Sequence, residues 1–353
     1  MNLKKLRSKI DQIDKQILSL LNNRASITSG ITRVKKQAGK SIYSPDREIQ
    51  VLAGVKAHNK GPLSPGAVEA IYREIMSATL AQGEPFKVAY LGPQATFSHI
   101  AALKRFGSQA DYIPCNNIAD VFNEVEKGEA HYGVVPIENS IEGAVTHTLD
   151  MFVDSDLKIC AQIIINVSQN LLAKCPKEKI RRVYSNPHVF GQCRLWLQEN
   201  LHQAENIEVS STTRAAQIAS KEKNAACIAS ALAAKLYGLK MIARDIEDSP
   251  HNSTRFLVIG DTQVDRTGKD RTSILFSIKD RVGALHDMLV PFKKNHINLT
   301  KIESRPSKKK AWDYYFFVDL QGHYNENSVK KALDELQVNC TFLKILGSYP
   351  IGE

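Results

Sequence analysis

The sequence predicts a multidomain protein: an all-α helical module first, a two-lobed α/β domain next, and an α+β, ferredoxin-like βαββαβ domain last. Three observations predict it. Apolar residues recur at helical spacing from Leu3 to Val34, with no proline before Pro45. After Gly83-Glu84-Pro85 the composition changes, and short apolar strands alternate with helices as far as Gly260. From Ser273 onward the order runs strand, helix, strand, strand, helix, strand.

The first segment places Leu3, Leu6, Ile10, Ile13, Ile17, Leu20, Ile27, Ile31 and Val34 at spacings of three, four or seven. That pattern describes one helix of roughly 35 residues, longer than a lone globular helix needs, with Gly39 as its stop. A second helix follows Ser44-Pro45, with proline in its first turn. A third starts near Ser64-Pro65-Gly66 and runs to about Ala81. A module this small cannot bury all its apolar stripes alone, so it is expected to dimerise.

The α/β stretch reads as strands Lys87–Leu91, Tyr132–Ile137, Arg182–Ser185, Ile207–Ser210 and Thr254–Ile259. Helices are read at Ser98–Phe106, Ile118–Lys127, His188–Glu199 and Thr213–Ser220. The alternation predicts either one mostly parallel α/β domain or two α/β lobes. Gly260–Arg271 is polar and charged, and reads as a linker. The last domain has strand Ser273–Lys279, helix Ala284–Asn295, strands Asn298–Ser304 and Asp313–Leu320, helix Asn325–Glu335 and strand Thr341–Ser348. Lys308-Lys309-Lys310 falls where a hairpin turn is expected. The domains are therefore bounded at 1–83, 86–260 and 272–353.

Composition narrows the function. No apolar run approaches the ~20 residues that span a bilayer. No apolar run near the N-terminus precedes a small-residue cleavage site. The six cysteines (115, 160, 175, 193, 227 and 340) are scattered with no C-x-x-C pair. That argues against a zinc site or a disulfide framework and fits a reducing compartment, the cytoplasm. No metal and no cofactor are called for. The net charge is +10, and residues 1–60 hold 13 Lys/Arg against 4 Asp/Glu, a surplus of 9. Such a segment suits a polyanion, a nucleic acid or a membrane surface, or is simply a solvated helix face.

Helix geometry sorts these cations. Arg24 and Lys35 are 11 residues apart and so lie within about 20° of each other, whereas Arg7 points about 100° away from Arg24. Two cations on one face suit a small dianion, and a third on another face could serve a partner's site. In the α/β stretch, Tyr90–Ser98 and Val135–Gly143 each run from a strand into a turn rich in hydroxyls and free N–H groups. Such turns either bind a carboxylate or cap a helix.

Leu6-Arg7-Ser8-Lys9-Ile10-Asp11, Leu20-Leu21-x-x-Arg24, Val34-Lys35 and Pro45-x-Arg47-Glu48 resemble the all-helical chorismate mutases. The resemblance implies an intertwined helical dimer that rearranges chorismate to prephenate without a covalent intermediate. It implies that Arg24 and Arg47 hold the substrate with Thr79 nearby, and that Arg7 reaches in from the other protomer. Lys35 would donate to the breaking ether oxygen, and Glu48 would accept from the substrate hydroxyl. Two positions depart from the family: its carboxylate before Pro-x-Arg-Glu is Ser44 here, and its second ether-oxygen donor falls on Gly83, between Gln82 and Glu84.

Residues 86–260 resemble prephenate dehydratase, in the two stretches above and in Gln192-Cys193-Arg194-x-Trp196-Leu197, Ala225–Leu232 and Asn252-Ser253-Thr254-Arg255-Phe256. The resemblance implies two α/β lobes around a cleft and the conversion of prephenate to phenylpyruvate. Thr254 would stand beside the leaving hydroxyl, and Glu138 could supply the proton. Arg255 would meet a carboxylate, and Thr96, Ser98, Asn139, Ser140, Ser185, Gln192 and Phe256 would line the site. The family's Gly-Thr-Phe-Ser reads Ala95-Thr96-Phe97-Ser98, a change expected to matter little.

Gly283-Ala284-Leu285 and Glu303-Ser304-Arg305-Pro306 resemble the ACT regulatory domain of prephenate dehydratases. That implies phenylalanine bound between these segments at a dimer interface, and feedback inhibition. The expected partners are chorismate, prephenate and phenylalanine, with a homodimer or larger homo-oligomer and neither nucleic acid nor membrane. Two alternatives stay open. One is a dehydratase whose N-terminal helices only dimerise. The other is an amino-acid-sensing binding or regulatory protein.

Overall fold

The structure is a computed structural model, and it describes residues 2–39, 42–80, 85–279, 281–307 and 314–351. The chain divides into two compact units, one of residues 1–86 with 106–111, the other of residues 87–105 with 112–353. Among the described residues, no helix is long and apolar enough to cross a membrane.

The first unit is helical, as the periodicity predicts: α1 Leu3–Gln37, α2 Pro45–His58 and α3 Pro65–Leu80. Asn2 caps α1 by accepting from the Lys4 N–H, and Pro45 opens α2. The unit's core is small. Tyr43 packs against Phe86 and Phe106, with ring centroids 6.2 and 5.1 Å apart. α1 contributes no buried residue, and Ile10, Ile13, Ile17, Leu20, Ile27 and Ile31 all stand exposed. The expected end of the third helix at Ala81, and the Gln82–Glu84 register, lie outside the described residues.

The second unit continues as β1 Lys87–Leu91, α4 Phe97–Phe106, β2 Asp111–Cys115, α5 Ile118–Glu126, β3 Tyr132–Asn139, β4 Gly143–Ala144, α6 Thr146–Asp154, β5 Lys158–Asn166, β6 Asn170–Ala173 and β7 Arg182–Ser185. Then come α7 Pro187–Gln192, α8 Arg194–Asn200, β8 Glu205–Glu208, α9 Thr212–Ala219, β9 Ala225–Ala229, α10 Ala231–Tyr237, β10 Lys240–Ala243 and β11 Ser253–Gly260. The final stretch is β12 Asp270–Ile278, α11 Ala284–Lys294, β13 Leu299–Pro306, β14 Tyr314–Gln321, α12 Asn327–Gln337 and β15 Cys340–Pro350. Lys308–Lys310 and Asp313, placed above in a hairpin and at a strand start, lie outside the described residues.

These strands form three sheets, ordered β2-β1-β3-β11-β5 with β4 on β3, β10-β6-β9-β7-β8, and β13-β14-β12-β15. The first two are the lobes of an α/β domain. The expectation of a mostly parallel arrangement needs correction. β1 and β3 run parallel, as do β7, β8 and β9, but β11 is antiparallel to both β3 and β5. The chain leaves the first lobe through β5 and returns from the second through β11. Sequence periodicity shows a buried strand but not its direction. The helix read as His188–Glu199 is broken at Cys193, whose φ of −117° is not helical. The third sheet has the predicted βαββαβ order, with α11 and α12 over a core that includes Ile274, Phe276, Phe292 and Leu333.

The third sheet packs directly on the first lobe. Leu275, Phe317, Leu346 and Tyr349 share one core with Leu149, Phe152, Ile159 and Leu257. Gly347 sits so close to β5 that a Cβ there would lie 2.3 Å from the Ile159 carbonyl oxygen.

Candidate active sites and effector pocket

β3 and β11 pair so that Thr254 stands opposite Asn139, and Arg255 opposite Glu138. The Asn139 amide is fixed by its surroundings. Its Oδ1 accepts from the N–H groups of Ile141, at 2.9 Å, and Glu142, at 3.1 Å. Its Nδ2 must therefore point the other way, and it donates to Thr254 Oγ1 and to Asn252 Oδ1, each at 2.8 Å. Asn252 in turn donates to Gln192 Oε1 at 3.3 Å, as does Gln169. Gln192 Nε2 donates to Glu142 Oε1 at 3.3 Å. A carboxylate at one end and two backbone donors at the other set the direction of every amide between them.

This network joins the lobes, since Asn139 and Thr254 come from the first sheet and Gln192 from α7 of the second lobe. A cleft of about 380 Å³ adjoins it, lined by residues including Ile141, His188, Gln192, Asp248 and Asn252. Burial, then the nearby Glu247 and Asp248 carboxylates, pushes the Cys193 thiol up to about 12, so the cysteine beside Gln192 is no nucleophile at neutral pH.

Several expected cleft residues have other partners. The Ser185 hydroxyl is fully buried and donates to the Ile228 carbonyl. Ser140 donates to the His251 carbonyl and accepts from the Ser253 N–H, which fastens the turn after β3 to β11. Thr96 donates to the Leu91 and Pro93 carbonyls. Ser98 is buried at the start of α4, and Phe256 is buried within the sheet. Ala95 adopts φ +67°, a conformation that costs a residue with a Cβ about 1–2 kcal/mol. Its N–H donates to His99 Nδ1, whose pKa burial lowers.

Arg255 and Glu138 differ most from expectation. They do not join Thr254. Arg255 Nε lies 2.6 Å from Glu138 Oε1, and Nη2 lies 2.7 Å from Asp319 Oδ2 on β14. Lys301 of β13 donates to Glu138 Oε2 at 2.6 Å. Burial alone would lower the Arg255 pKa, but Tyr349, Asp319 and Glu138 outweigh it and hold the guanidinium charged, above its ordinary value. Each oxygen of Glu138 thus faces a cation, an arrangement that anchors a carboxylate and does not aim an acid at a leaving group.

In the first unit, Arg24 Nη1 donates to Thr79 Oγ1 at 3.5 Å, which brings α1 and α3 together. Lys35 Nζ donates to the Ile42 carbonyl at 3.0 Å and to Ser44 Oγ, at the N-cap of α2. Where the family resembled here has a carboxylate, the ammonium meets a neutral hydroxyl. In α2, Glu48 accepts from Tyr43 and Arg47 donates to Gln50. Arg7 is exposed on α1, and at 17 residues from Arg24 it is ~25 Å away along the axis. It cannot serve the same site within one chain.

In the third sheet, Gly283 (φ +78°) precedes α11. Gly283, Ala284, Leu285, Tyr314 and Phe316 line a pocket of about 450 Å³. Ser304 and Pro306 are the cross-strand partners of Phe316 and Tyr314, on the exposed face of β13. Glu303 and Arg305 point to the opposite face, where Arg305 meets Asp150 of α6 at 3.3 Å.

Sequence reasoning missed Gln169 and Asp319, and met Lys301, Asn252 and Glu142 only inside matched stretches. Asp319 carried a signal: an acid inside the apolar run Tyr314–Leu320 needs a buried partner. Gln169 had no such cue.

Comparison with known proteins agrees with this division. Family profiles match in order: chorismate mutase type II over residues 6–84, prephenate dehydratase over 88–264 and the ACT domain over 272–337. The chain is 51% identical to a bifunctional chorismate mutase/prephenate dehydratase of Aquifex aeolicus, over 99% of this chain and 98% of the other. It is 44% identical to the protein of that name from Pseudomonas aeruginosa, over 99% and 97%. Among solved structures, it resembles a prephenate dehydratase from Arthrobacter aurescens in complex with L-Phe, with a TM-score of 0.70 and 34% identity, over 75% of this chain and 90% of that one.

Proposed function

The chain belongs to the family of bifunctional chorismate mutase/prephenate dehydratases, and on that premise we propose how its residues carry the two reactions and their control. The fixed Asn139–Thr254 hydrogen bond carries the reading. Because Asn139 donates to Thr254 Oγ1, the threonine's own O–H remains available to donate into the cleft.

In the dehydratase step the ring carboxylate leaves as carbon dioxide, and its bonding electrons enter the ring. The hydroxyl on the opposite ring carbon departs with a proton as water. Aromatisation drives the step, so the protein must place the substrate and help the hydroxyl leave. Thr254 donates to that hydroxyl as negative charge grows on it. A threonine is too weak an acid to give up its proton alone, so its role is polarisation or relay. The Asn139–Asn252–Gln192 chain holds it in place and ties both lobes to one geometry. Arg255 and Glu138 act from beneath this site.

In the mutase step a dianion must adopt a compact conformer while its ether bond breaks. Arg24 and Arg47 hold carboxylates, Lys35 donates to the ether oxygen, Glu48 accepts from the ring hydroxyl, and Thr79 orients Arg24. Arg7 comes from a second copy, and the exposed apolar stripe of α1 is the surface on which that copy packs. The functional form is therefore a homodimer or larger homo-oligomer, working in the cytoplasm. Phenylalanine occupies the pocket at Gly283-Ala284-Leu285 beside Tyr314 and Phe316. It inhibits by binding one conformation more tightly than the other.

The test is to supply chorismate alone and follow chorismate loss and phenylpyruvate formation together. Phenylpyruvate appearing above the uncatalysed rate is the expected result. Chorismate persisting at its background rate, with added prephenate still consumed, would remove the mutase half of the reading and leave the helices as a dimerisation module.

A further inference from the structure

Four charges alternate in a ring between the α/β domain and the C-terminal sheet. Lys301 meets Glu138 at 2.6 Å, Glu138 meets Arg255 at 2.6 Å, and Arg255 meets Asp319 at 2.7 Å. Lys301 and Asp319 are themselves cross-strand partners on β13 and β14. The ring is well shielded: side-chain exposure is 7% for Arg255, 10% for Asp319, 13% for Lys301 and 35% for Glu138. Asp319 is held from behind, accepting at Oδ1 from Ser273 Oγ at 2.6 Å. Ser273 in turn meets the hydroxyl of the fully buried Tyr349 at 2.7 Å.

The ring shares its backbone with the dehydratase site. Glu138 precedes Asn139, and Arg255 follows Thr254. Successive strand residues project to opposite faces. One face of this two-residue ladder carries the Asn139–Thr254 hydrogen bond, and the other carries the Glu138–Arg255 pair. Whatever fixes the lower pair fixes the upper one. Desolvating four charges is a poor way to gain stability, because apolar residues of like volume would hold the domains together as well or better. What the ring supplies is geometry.

We infer that Lys301 and Asp319, residues of the C-terminal sheet, are positioning residues for the dehydratase reaction, acting through Glu138 and Arg255 on the orientation of Asn139 and Thr254. This rests on the dehydratase reading above. Lys301 shares β13 with Ser304 and Pro306, which border the candidate effector pocket through their strand partners. A shift of β13 would therefore reach Thr254 through Glu138.

The test uses the full-length protein and its Lys301→Met, Lys301→Arg and Asp319→Asn variants, with prephenate turnover and chorismate consumption measured on the same preparations. Lys301→Met and Asp319→Asn are expected to lower kcat for prephenate about tenfold while KM stays within about threefold. Lys301→Arg should recover most of the loss, and chorismate consumption should match wild type throughout. Adding Lys301→Met to Glu138→Gln should cause little further loss, because both break one path. Wild-type kcat in a folded Lys301→Met or Asp319→Asn variant overturns the proposal, as do losses that simply multiply in the double variant. If one variant fails to fold, the other decides. Wild-type protein that leaves prephenate untouched overturns the dehydratase reading itself, and this proposal with it.

Discussion

The two candidate sites solve the same problem, holding a small dianion, in opposite ways. The helical unit carries candidate cations along a 35-residue helix with no buried residue, with Arg7 and Arg24 ~25 Å apart on it. The α/β domain gathers its polar groups at the end of two central strands, where every amide direction is set by a neighbour. On the reading proposed above, the first design needs a second chain to become a site. The second draws its candidate residues from one chain, and on the inference above its precision depends on what packs beneath the sheet. On that reading, a helix with an exposed apolar stripe and a hydrogen-bonded cluster put their ordering cost in different places, one in association and the other in folding.

Substitutions can break this contrast at either end. Thr254→Ala should have the largest effect, lowering kcat for prephenate by roughly 10²–10³ with KM within a few-fold, by analogy with loss of one oriented transition-state donor. Steady-state kinetics checks this, and a kcat within tenfold of wild type would take Thr254 out of its role. Ile17→Glu places a charge on the exposed stripe of α1 and should dissociate the proposed dimer. Chorismate turnover would fall about 100-fold, because a desolvated unpaired charge in an apolar interface is costly. Prephenate turnover should stay near wild type. Sedimentation showing an intact oligomer with full mutase activity would remove the stripe from the interface.

Gly347→Ala should act on the second unit alone. Its Cβ would meet the Ile159 backbone carbonyl, which cannot swing aside, so a loss of about 1–3 kcal/mol in that unit is expected, the usual cost of overpacking. Calorimetry would show it as a lowered second-unit transition with the mutase rate retained; an unchanged melt would mean that the sheets separate at no cost. The smallest effect belongs to Ala95→Gly. Relieving a positive φ should stabilise the protein by about 1 kcal/mol. That corresponds to a Tm rise of ~2–4 °C if the α/β unit melts as one. A fall in Tm would show that the turn is not strained.

The candidate sites were legible to different depths. Arg24, Lys35, Arg47 and Glu48 could be assembled from helix phase and motif, because a helix converts spacing into direction. Thr254 and Asn139 came from matching motifs, but their pairing did not, since nothing local places residue 254 against residue 139. The contacts of Arg255 and Glu138 with Asp319 and Lys301 were out of reach for the same reason. The motif marks them as functional, but only the sheet shows which face each takes. Ser140, Ser185 and Thr96 read as ligand hydroxyls, and in the structure each donates to a backbone carbonyl.

The sequence alone determined the three-part order, the helix that carries the basic face, and the βαββαβ succession at the end. These depend on periodicity and turn chemistry, which act over a few residues. Tertiary structure decided the antiparallel return of β11 between β3 and β5, the direction of each amide from Asn139 to Glu142, and the seating of Asp319 against Arg255. The strand pairings, the amide-to-amide links and the Asp319–Arg255 contact each join residues 50 or more positions apart in the chain, although two local N–H groups, those of Ile141 and Glu142, orient the first amide. Their partners are chosen by burial and by the requirement that no buried charge or amide be left unmatched, conditions that exist only once the sheets have closed on one another.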